Sequence, residues 1–291
     1  MPLVTMKEIL LPALKEKRAV GGFEFWSIES IQAIIGAAEE YNSPVILQAG
    51  PYECDHAGID NLSTIARFMA GKSFVPVALH LDHGDTLERA KAALENGFTS
   101  VMIDASQKSF DENVKVTRQV VEMAKKTGAT VEGEMGIVPG LEGGIEIDEE
   151  SEIYTEPGQA AEYVRQTGVD ALAIAIGSAH GFYKKPPCLN IGRLLEIRKA
   201  VGVPLVLHGG TGIDESQIRK AIENGISKIN ISTEFVAAFG RQYIQTQAAE
   251  GYKYNVPSLF GPSMQAGKAL VREKIRMFGG YETGAHGPGA Q

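Results

Sequence analysis

Apolar and polar positions recur along this chain in one repeating unit: a short β-branched or aliphatic run, a loop, then a charged amphipathic segment. The runs predict strands at Val20–Phe25, Pro44–Gln48, Val75–Leu81, Thr99–Ile103, Thr130–Glu134, Asp170–Ile176, Pro204–Leu207 and Ser227–Ile231. Near-continuous apolar runs of this length are what parallel strands buried on both faces look like. Between them, apolar residues spaced three and four apart predict helices, among them Glu29–Glu40, Leu87–Asn96, Glu112–Lys126 and Glu215–Asn224. In the last, Ile218, Ala221 and Ile222 share one face. Several helices run into Gly followed by an apolar run, as in Asn96-Gly97-Phe98, Thr127-Gly128 and Asn224-Gly225-Ile226, which is left-handed cap chemistry feeding a parallel strand.

This strand–helix alternation predicts a single-domain α/β fold, a (β/α)8 TIM barrel over residues 1–278. A doubly wound open sheet would more often carry a glycine-rich phosphate loop after its first strand, and Gly21-Gly22-Phe23-Glu24 is not one. Two segments stand outside the rhythm. Gly136–Glu152 reads as a long glycine-bearing loop, functional or mobile. The tail 279–291, with five glycines and few anchors, is expected to be disordered. The N-terminal segment, charged among its apolar residues, reads as an amphipathic helix and not as a signal peptide.

Composition narrows the function. A formal charge of −8 argues against a nucleic-acid or anionic-membrane surface, either of which needs clustered Lys and Arg. No apolar run approaches the roughly 20 residues of a membrane span. Cys54 and Cys188 are far apart and in no metal-ligand spacing, so they read as inert thiols of a reducing compartment; the expected location is cytoplasmic.

Barrel active sites lie at the C-terminal ends of the strands. The third predicted strand ends in His80-Leu81-Asp82-His83-Gly84, the fourth at Asp104, the fifth at Glu132 and Glu134. The sixth runs into Ser178-Ala179-His180-Gly181, the seventh into His208-Gly209-Gly210-Thr211-Gly212, and the eighth into Asn230-Ile231-Ser232-Thr233. His83, His180 and His208 from three strand ends have the ligand count of a catalytic zinc site with one open position. Any one of them alone could be a satisfied loop-start histidine; three at equivalent positions beside carboxylates point to a metal. Asp82 is placed either to orient a ligand or to shuttle a proton. Asp104 and Glu134 form either a second cation site or a polar cluster. His80 faces the same side one layer deeper and reads as a core or supporting histidine. His56 and His286 carry no functional signal. The turns Gly209–Gly212 and Asn230–Thr233 follow the two strands where barrels often bind phosphate, with backbone N–H groups and hydroxyls as donors.

At these residues the sequence resembles the class II, zinc-dependent fructose- and tagatose-bisphosphate aldolases. The matching strings are Ala78–Gly84, Ser100–Asp104, Val131–Gly136, Gly177–Gly181, Leu207–Gly212 and Lys228–Glu234. The resemblance implies Zn²⁺ on His83, His180 and His208, a Lewis acid toward the ketose carbonyl and hydroxyl, with Asp82 as acid/base toward the aldehyde oxygen. It places a second cation position on Asp104 and Glu134. A glycerone-phosphate site falls on Gly181, Gly209, Gly210, Thr211, Asn230, Ile231, Ser232 and Thr233, often with Na⁺ or K⁺ nearby. A catalytic loop glutamate aligns with Glu146, behind a loop, Ile137–Glu142, longer than in most relatives. It also implies a sugar-phosphate substrate and a homodimer or homotetramer. A Schiff-base aldolase would need a lysine in the mouth; the sixth strand has none, and Lys228 begins the eighth strand at the wrong end.

Three departures from the family pattern lie on the aldehyde side: Phe23-Glu24-Phe25-Trp26-Ser27, Gly50 in place of a serine, and Val256-Pro257-Ser258-Leu259-Phe260 in place of a basic stretch. They predict a ketose 1-phosphate substrate, or a bisphosphate bound differently. Glu24 is either a substrate contact or a solvated strand-end charge. The rival readings are a zinc hydrolase on the same barrel, which leaves the two phosphate turns unexplained, and a non-catalytic aldolase-like subunit, which leaves the full ligand set and Asp82 unexplained.

Overall fold

Each predicted strand has apolar residues on both faces, and the computed structural model gives them two different neighbours. It describes residues 3–142, 145–147, 154–183, 185–250 and 255–279. The strands are β1 (Val20–Glu24), β2 (Val45–Ala49), β3 (Val77–Gly84), β4 (Ser100–Ile103), β5 (Thr130–Met135), β6 (Gly140–Glu142), β7 (Ile145–Ile147), β8 (Ala171–Ile174), β9 (Leu205–Leu207) and β10 (Ile226–Ile231). Eight of them close into a barrel of order β1-β10-β9-β8-β5-β4-β3-β2, every pair parallel. The expected (β/α)8 TIM barrel is therefore the fold.

The loop expected at Gly136–Glu152 is not structureless: β6 and β7 pair antiparallel within it, Leu141 opposite Glu146. The side chain of Glu146 and the tail 280–291 lie outside the described residues. The expected strand Asp170–Ile176 stops at Ile174, because Thr155 takes over Ala175: Thr155 N–H donates to the Ala175 carbonyl, and Ala175 N–H donates to Thr155 Oγ1. The expected caps Gly97, Gly128 and Gly225 have φ of 85°, 74° and 114°.

The helices are α1 (Met6–Glu16), α2 (Ile28–Glu40), α3 (Pro51–Ala57), α4 (Ile59–Ala70), α5 (Leu87–Glu95), α6 (Phe110–Ala124), α7 (Pro157–Thr167), α8 (Ile191–Ala200), α9 (Glu215–Glu223), α10 (Thr233–Glu250) and α11 (Val256–Met277). None among the described residues is long and apolar enough to cross a membrane. Alternate strand residues such as Leu79, Leu81, Leu205, Leu207, Ile229 and Ile231 join the core under the helices. The residues between them face the barrel interior. Val20, Ile46, Ala78, Ala171, Ala173 and Val206 form a separate inner core with Met6, Ile9, Leu10 and Ala13 of α1. The predicted N-terminal amphipathic helix thus caps the lower end of the barrel. Met6, fully buried, gains on the order of 1.5–3 kcal/mol there. Above this apolar floor the interior turns polar.

Candidate active site

In a regular strand Asp82 and His83 would point to opposite faces. The β3–β4 register shifts between Leu81 and Gly84, and His83 adopts φ of 44°. A non-glycine residue in that region is strained by roughly 1–2 kcal/mol. The irregularity turns both side chains into the mouth, the kind of re-aiming that bulges provide beside functional sites.

The structure brings His83, His180 and His208 together, with a ligand atom of each within 4.8 Å of the others. Their ring centroids lie 5.1, 4.6 and 5.8 Å apart pairwise. His83 Nδ1 is 2.8 Å from Asp104 Oδ2, and His208 Nε2 is 2.9 Å from Glu132 Oε1. Carboxylates accept, so these two nitrogens carry the hydrogens. The other two, His83 Nε2 and His208 Nδ1, face each other at 2.7 Å. With both rings neutral these are opposed lone pairs, an arrangement that calls for a cation between them, a proton on one ring or a metal. Burial, reinforced by the neighbouring histidines, pushes His180 well below the ordinary imidazole range and lowers His208. Neutral imidazoles are what a divalent metal requires. The residues present therefore fit a divalent metal.

Asp82 is held rigidly. Gln48 Nε2 donates to Oδ2 at 2.8 Å, and Asn230 Nδ2 donates to the two oxygens at 3.1 and 3.0 Å. Burial alone would raise this carboxyl; His83, Lys228, His80 and His208 outweigh it and hold it well below the usual carboxylate range. Asp82 is an anion beside the candidate metal position.

Asp104 and Glu134 do meet at His83, forming a second group with ligand spacing. Both Asp104 oxygens are engaged, however: Oδ2 by His83, Oδ1 by Ser106 N–H at 3.0 Å and Ser106 Oγ–H at 2.7 Å. Burial opposes ionisation of Asp104, but the His83 and Ser106 contacts prevail and lower it. Glu134 goes the other way: burial and the adjacent Asp104 raise it well above the usual range.

The expected phosphate turns line one pocket: Gln48, Asp82, His180, Gly181, Gly209, Thr211, Asn230, Ser232 and Thr233. Thr233 opens α10, whose N-terminal N–H groups favour an anion there. Two expected members contribute differently. The Gly210 N–H donates to the Asn230 carbonyl at 3.1 Å, and the Ile231 side chain is buried in the outer core. The Ala179 N–H donates to Tyr183 Oη at 2.8 Å, and Tyr183 Oη–H donates to the Gly209 carbonyl at 2.8 Å. One hydroxyl thus ties the turn bearing His180 to the turn bearing His208.

Sequence reasoning did not single out Gln48 or Tyr183, named Glu132 only as a strand-end acid, and considered Lys228 only to exclude it as a Schiff-base lysine. Lys228 is fully buried, and its ammonium lies 2.8 Å from Glu132 Oε2 and 3.9 Å from Asp82 Oδ1. Its backbone enters low in the barrel, but the side chain reaches up to the layer below the mouth. Of the unusual first-strand residues, only Glu24 turns inward. Phe23 and Phe25 join the outer core, Trp26 packs 5.4 Å from Phe235 and Phe239, and Ser27 caps α2. Glu24 Oε1 accepts the Gly50 N–H at 2.8 Å, and Glu53 Oε2 accepts the same N–H at 3.1 Å. Val256–Phe260 opens α11 behind the Asn255 cap.

A parallel barrel with three imidazoles converging at its mouth, a buried carboxylate beside them and a helix N-terminus behind is an arrangement suited to a metal-dependent barrel enzyme that handles an anionic substrate. The family model for fructose-bisphosphate aldolase class-II matches residues 4–283. The chain is 46% identical over 284 residues to the fructose-bisphosphate aldolase of Geobacillus stearothermophilus, covering 96% of this chain and 98% of that one. It is 43% identical to the Staphylococcus aureus fructose-bisphosphate aldolase, with the same coverage. The crystal structure of the YdjI aldolase of Escherichia coli K12 superposes with a TM-score of 0.85 at 36% identity, over 96% of this chain and 98% of that one. The chain belongs to the class II fructose-bisphosphate aldolase family.

Proposed function

We propose that this protein is a zinc-dependent aldolase that reversibly cleaves a ketose 1-phosphate or ketose bisphosphate to glycerone phosphate and an aldehyde. The observation that carries the reading is the convergence of His83, His180 and His208 next to the anionic Asp82. His83, His180 and His208 would hold the zinc, which would supply Lewis acidity toward the ketose carbonyl and hydroxyl. Asp82, fixed by Gln48 and Asn230, takes the proton from the C4 hydroxyl. The C3–C4 bond then breaks, C4 becomes the aldehyde carbonyl, and the bonding pair passes to the glycerone phosphate fragment. Glu146 delivers the second proton, at C3.

Gly181, Gly209, Thr211, Ser232 and Thr233 with the α10 N-terminus bind the phosphate, and a Na⁺ or K⁺ ion is part of the same cradle. Gly210 and Asn230 shape it through the backbone bond between them, with Ile231 between Asn230 and Ser232 in the same turn. Asp104 serves to hold His83, with one oxygen on the ring and the other on Ser106, and Glu134 completes the group beside them. The protein is cytoplasmic and assembles as a homodimer or homotetramer; exposed Ile28 and Phe68 offer apolar surface for self-association. Removal of metal with EDTA and its return as zinc, followed by glycerone phosphate release, tests the mechanism. Activity that survives metal removal would overturn it.

Between the two substrate classes, one observation favours the 1-phosphate. Glu24 and Glu53 converge on the Gly50 N–H, and a Cβ at Gly50 would stand 3.7 Å from the Asp82 carbonyl oxygen. Two carboxylates beside the catalytic aspartate repel a distal phosphate and suit a hydroxylated aldehyde. Comparing cleavage of fructose 1,6-bisphosphate with ketose 1-phosphates decides this, and a strong preference for the bisphosphate rejects it.

A further inference from the structure

Below the candidate metal layer, His80, Asp82 and Glu132 offer ligand atoms that all lie within 4.8 Å of one another. Three buried donors at that spacing resemble a second metal site, and a cation already occupies it. Lys228 Nζ lies 2.8 Å from Glu132 Oε2, 3.2 Å from His80 Nε2 and 3.9 Å from Asp82 Oδ1. An ammonium only donates, so His80 Nε2 is its acceptor. His80 Nδ1 then carries the hydrogen, which it donates to Ser100 Oγ at 2.8 Å. The remaining oxygen of Glu132 accepts the His208 Nε2–H. The chain Lys228–Glu132–His208 is fully buried, with a side branch from Lys228 through His80 to Ser100. It ends on the ring nitrogen opposite the one that faces His83.

We propose that Lys228 is a positioning residue for the aldol reaction: its ammonium fills the niche of His80, Asp82 and Glu132 as a built-in cation, and through Glu132 it fixes which nitrogen of His208 meets the metal. Two consequences follow. With the ammonium in place, a divalent ion is excluded from the lower niche, so Asp82 stays a base and does not become a ligand. Glu132 is held ionised and aimed upward, so His208 presents Nδ1 at no cost in reorganisation. Carboxylates behind metal-bound histidines act in this way; here the carboxylate has its own buried counter-ion.

The inference rests on the zinc reading above, and the test separates the two. Zinc affinity is measured on the full-length enzyme by competition with a chromophoric chelator, together with kcat and KM for the sugar phosphate that the substrate panel identifies. K228M is expected to weaken zinc binding and lower kcat at saturating zinc by roughly 10–100-fold each. KM for the sugar phosphate stays within about twofold, because only uniform substrate binding would move it. In E132Q/K228M the glutamine oxygen still accepts the His208 hydrogen and no charge is left unpaired. The double variant is therefore expected to lose less zinc affinity than K228M alone, a non-additive cycle.

Wild-type zinc affinity and kcat in K228M, or additive losses in the double variant, would overturn the proposal. Should K228M fail to fold, ring-nitrogen NMR of the wild-type zinc enzyme decides instead. A metal-bound Nδ1 with protonated Nε2 on His208, and a slowly exchanging lysine ammonium, support it; a metal-bound Nε2 on His208 refutes it. Failure of wild-type protein to bind zinc would sink the zinc reading itself and would leave the lysine's contacts as they are.

Discussion

Replacing Tyr183 with phenylalanine removes a single oxygen, and the structure says what that oxygen does. It accepts from Ala179 N–H and donates to the Gly209 carbonyl, both at 2.8 Å. Each lost bond costs about 0.5–1.5 kcal/mol net, so the pair is worth about 1–3 kcal/mol. Water cannot simply refill the gap. The two backbones touch so closely that a Cβ on Gly209 would stand 2.3 Å from the Ala179 carbonyl oxygen. Two fates compete for this energy. Spread over the whole fold, a loss of about 2 kcal/mol lowers Tm by about 4–8 °C. Confined to the mouth, it loosens the turns that carry His180 and His208 and appears as weaker ligand binding. The second fate should win, because both turns lie above the ladder, and the strand hydrogen bonds beneath them remain intact. At 1.4 kcal/mol per tenfold, KM for glycerone phosphate in the condensation direction should rise by about 5- to 140-fold. Zinc affinity should fall alongside it. Steady-state condensation kinetics, chelator competition and thermal denaturation on Y183F measure all three. A Tm drop of several degrees with unchanged KM and zinc affinity would refute the local account.

The remaining predictions concern other residues of the same site. Asp82→Asn keeps the shape and removes the base; kcat should fall by about 10²–10⁴ with zinc retained, read by steady-state kinetics and metal analysis. Asp104→Ala frees the His83 ring, and zinc should bind about 10–100-fold more weakly in the chelator assay. Near-wild-type affinity there would mean that His83 needs no partner. Gly209→Ala forces a Cβ onto the Ala179 backbone at φ of 67° and should cost on the order of 1–3 kcal/mol by urea denaturation.

The barrel was legible because its strands are buried on both faces, so eight apolar runs stood out without any alternation to decode. Their ends were less so. Val75–Leu81 begins only at Val77, where pairing with Val45 starts, and continues through the irregularity to Gly84. The three histidines were visible because each ends a strand. The device that makes Asp82 and His83 point the same way was not, since a left-handed residue leaves no mark in a His-Gly pair. The contacts of Lys228 were hidden for a different reason. Its partners Glu132 and His80 lie 96 and 148 residues away, and position along a strand says where a Cα sits, not where a long side chain ends. Tyr183 follows no period at all; its role depends on two turns meeting.

The two sides of the site differ in what they are made of, and this bears on what the chain can specify. The proposed phosphate side is largely backbone, with the hydroxyls of Thr211, Ser232 and Thr233 beside it: glycine turns, a carbonyl tied by Tyr183, and the N-terminus of α10. Such a surface recognises an anion by geometry that almost any side-chain change elsewhere leaves alone. The proposed aldehyde side is side chain: Glu24 from the end of β1 and Glu53 from the first turn of α3, both on one amide of Gly50. A carboxylate there changes the sign of the charge that the distal end of a substrate meets, while Asp82 and the three histidines stay where they are. On that reading, reaction type and substrate identity are written in different parts of this barrel. The first can be held constant while the second is exchanged at two or three residues.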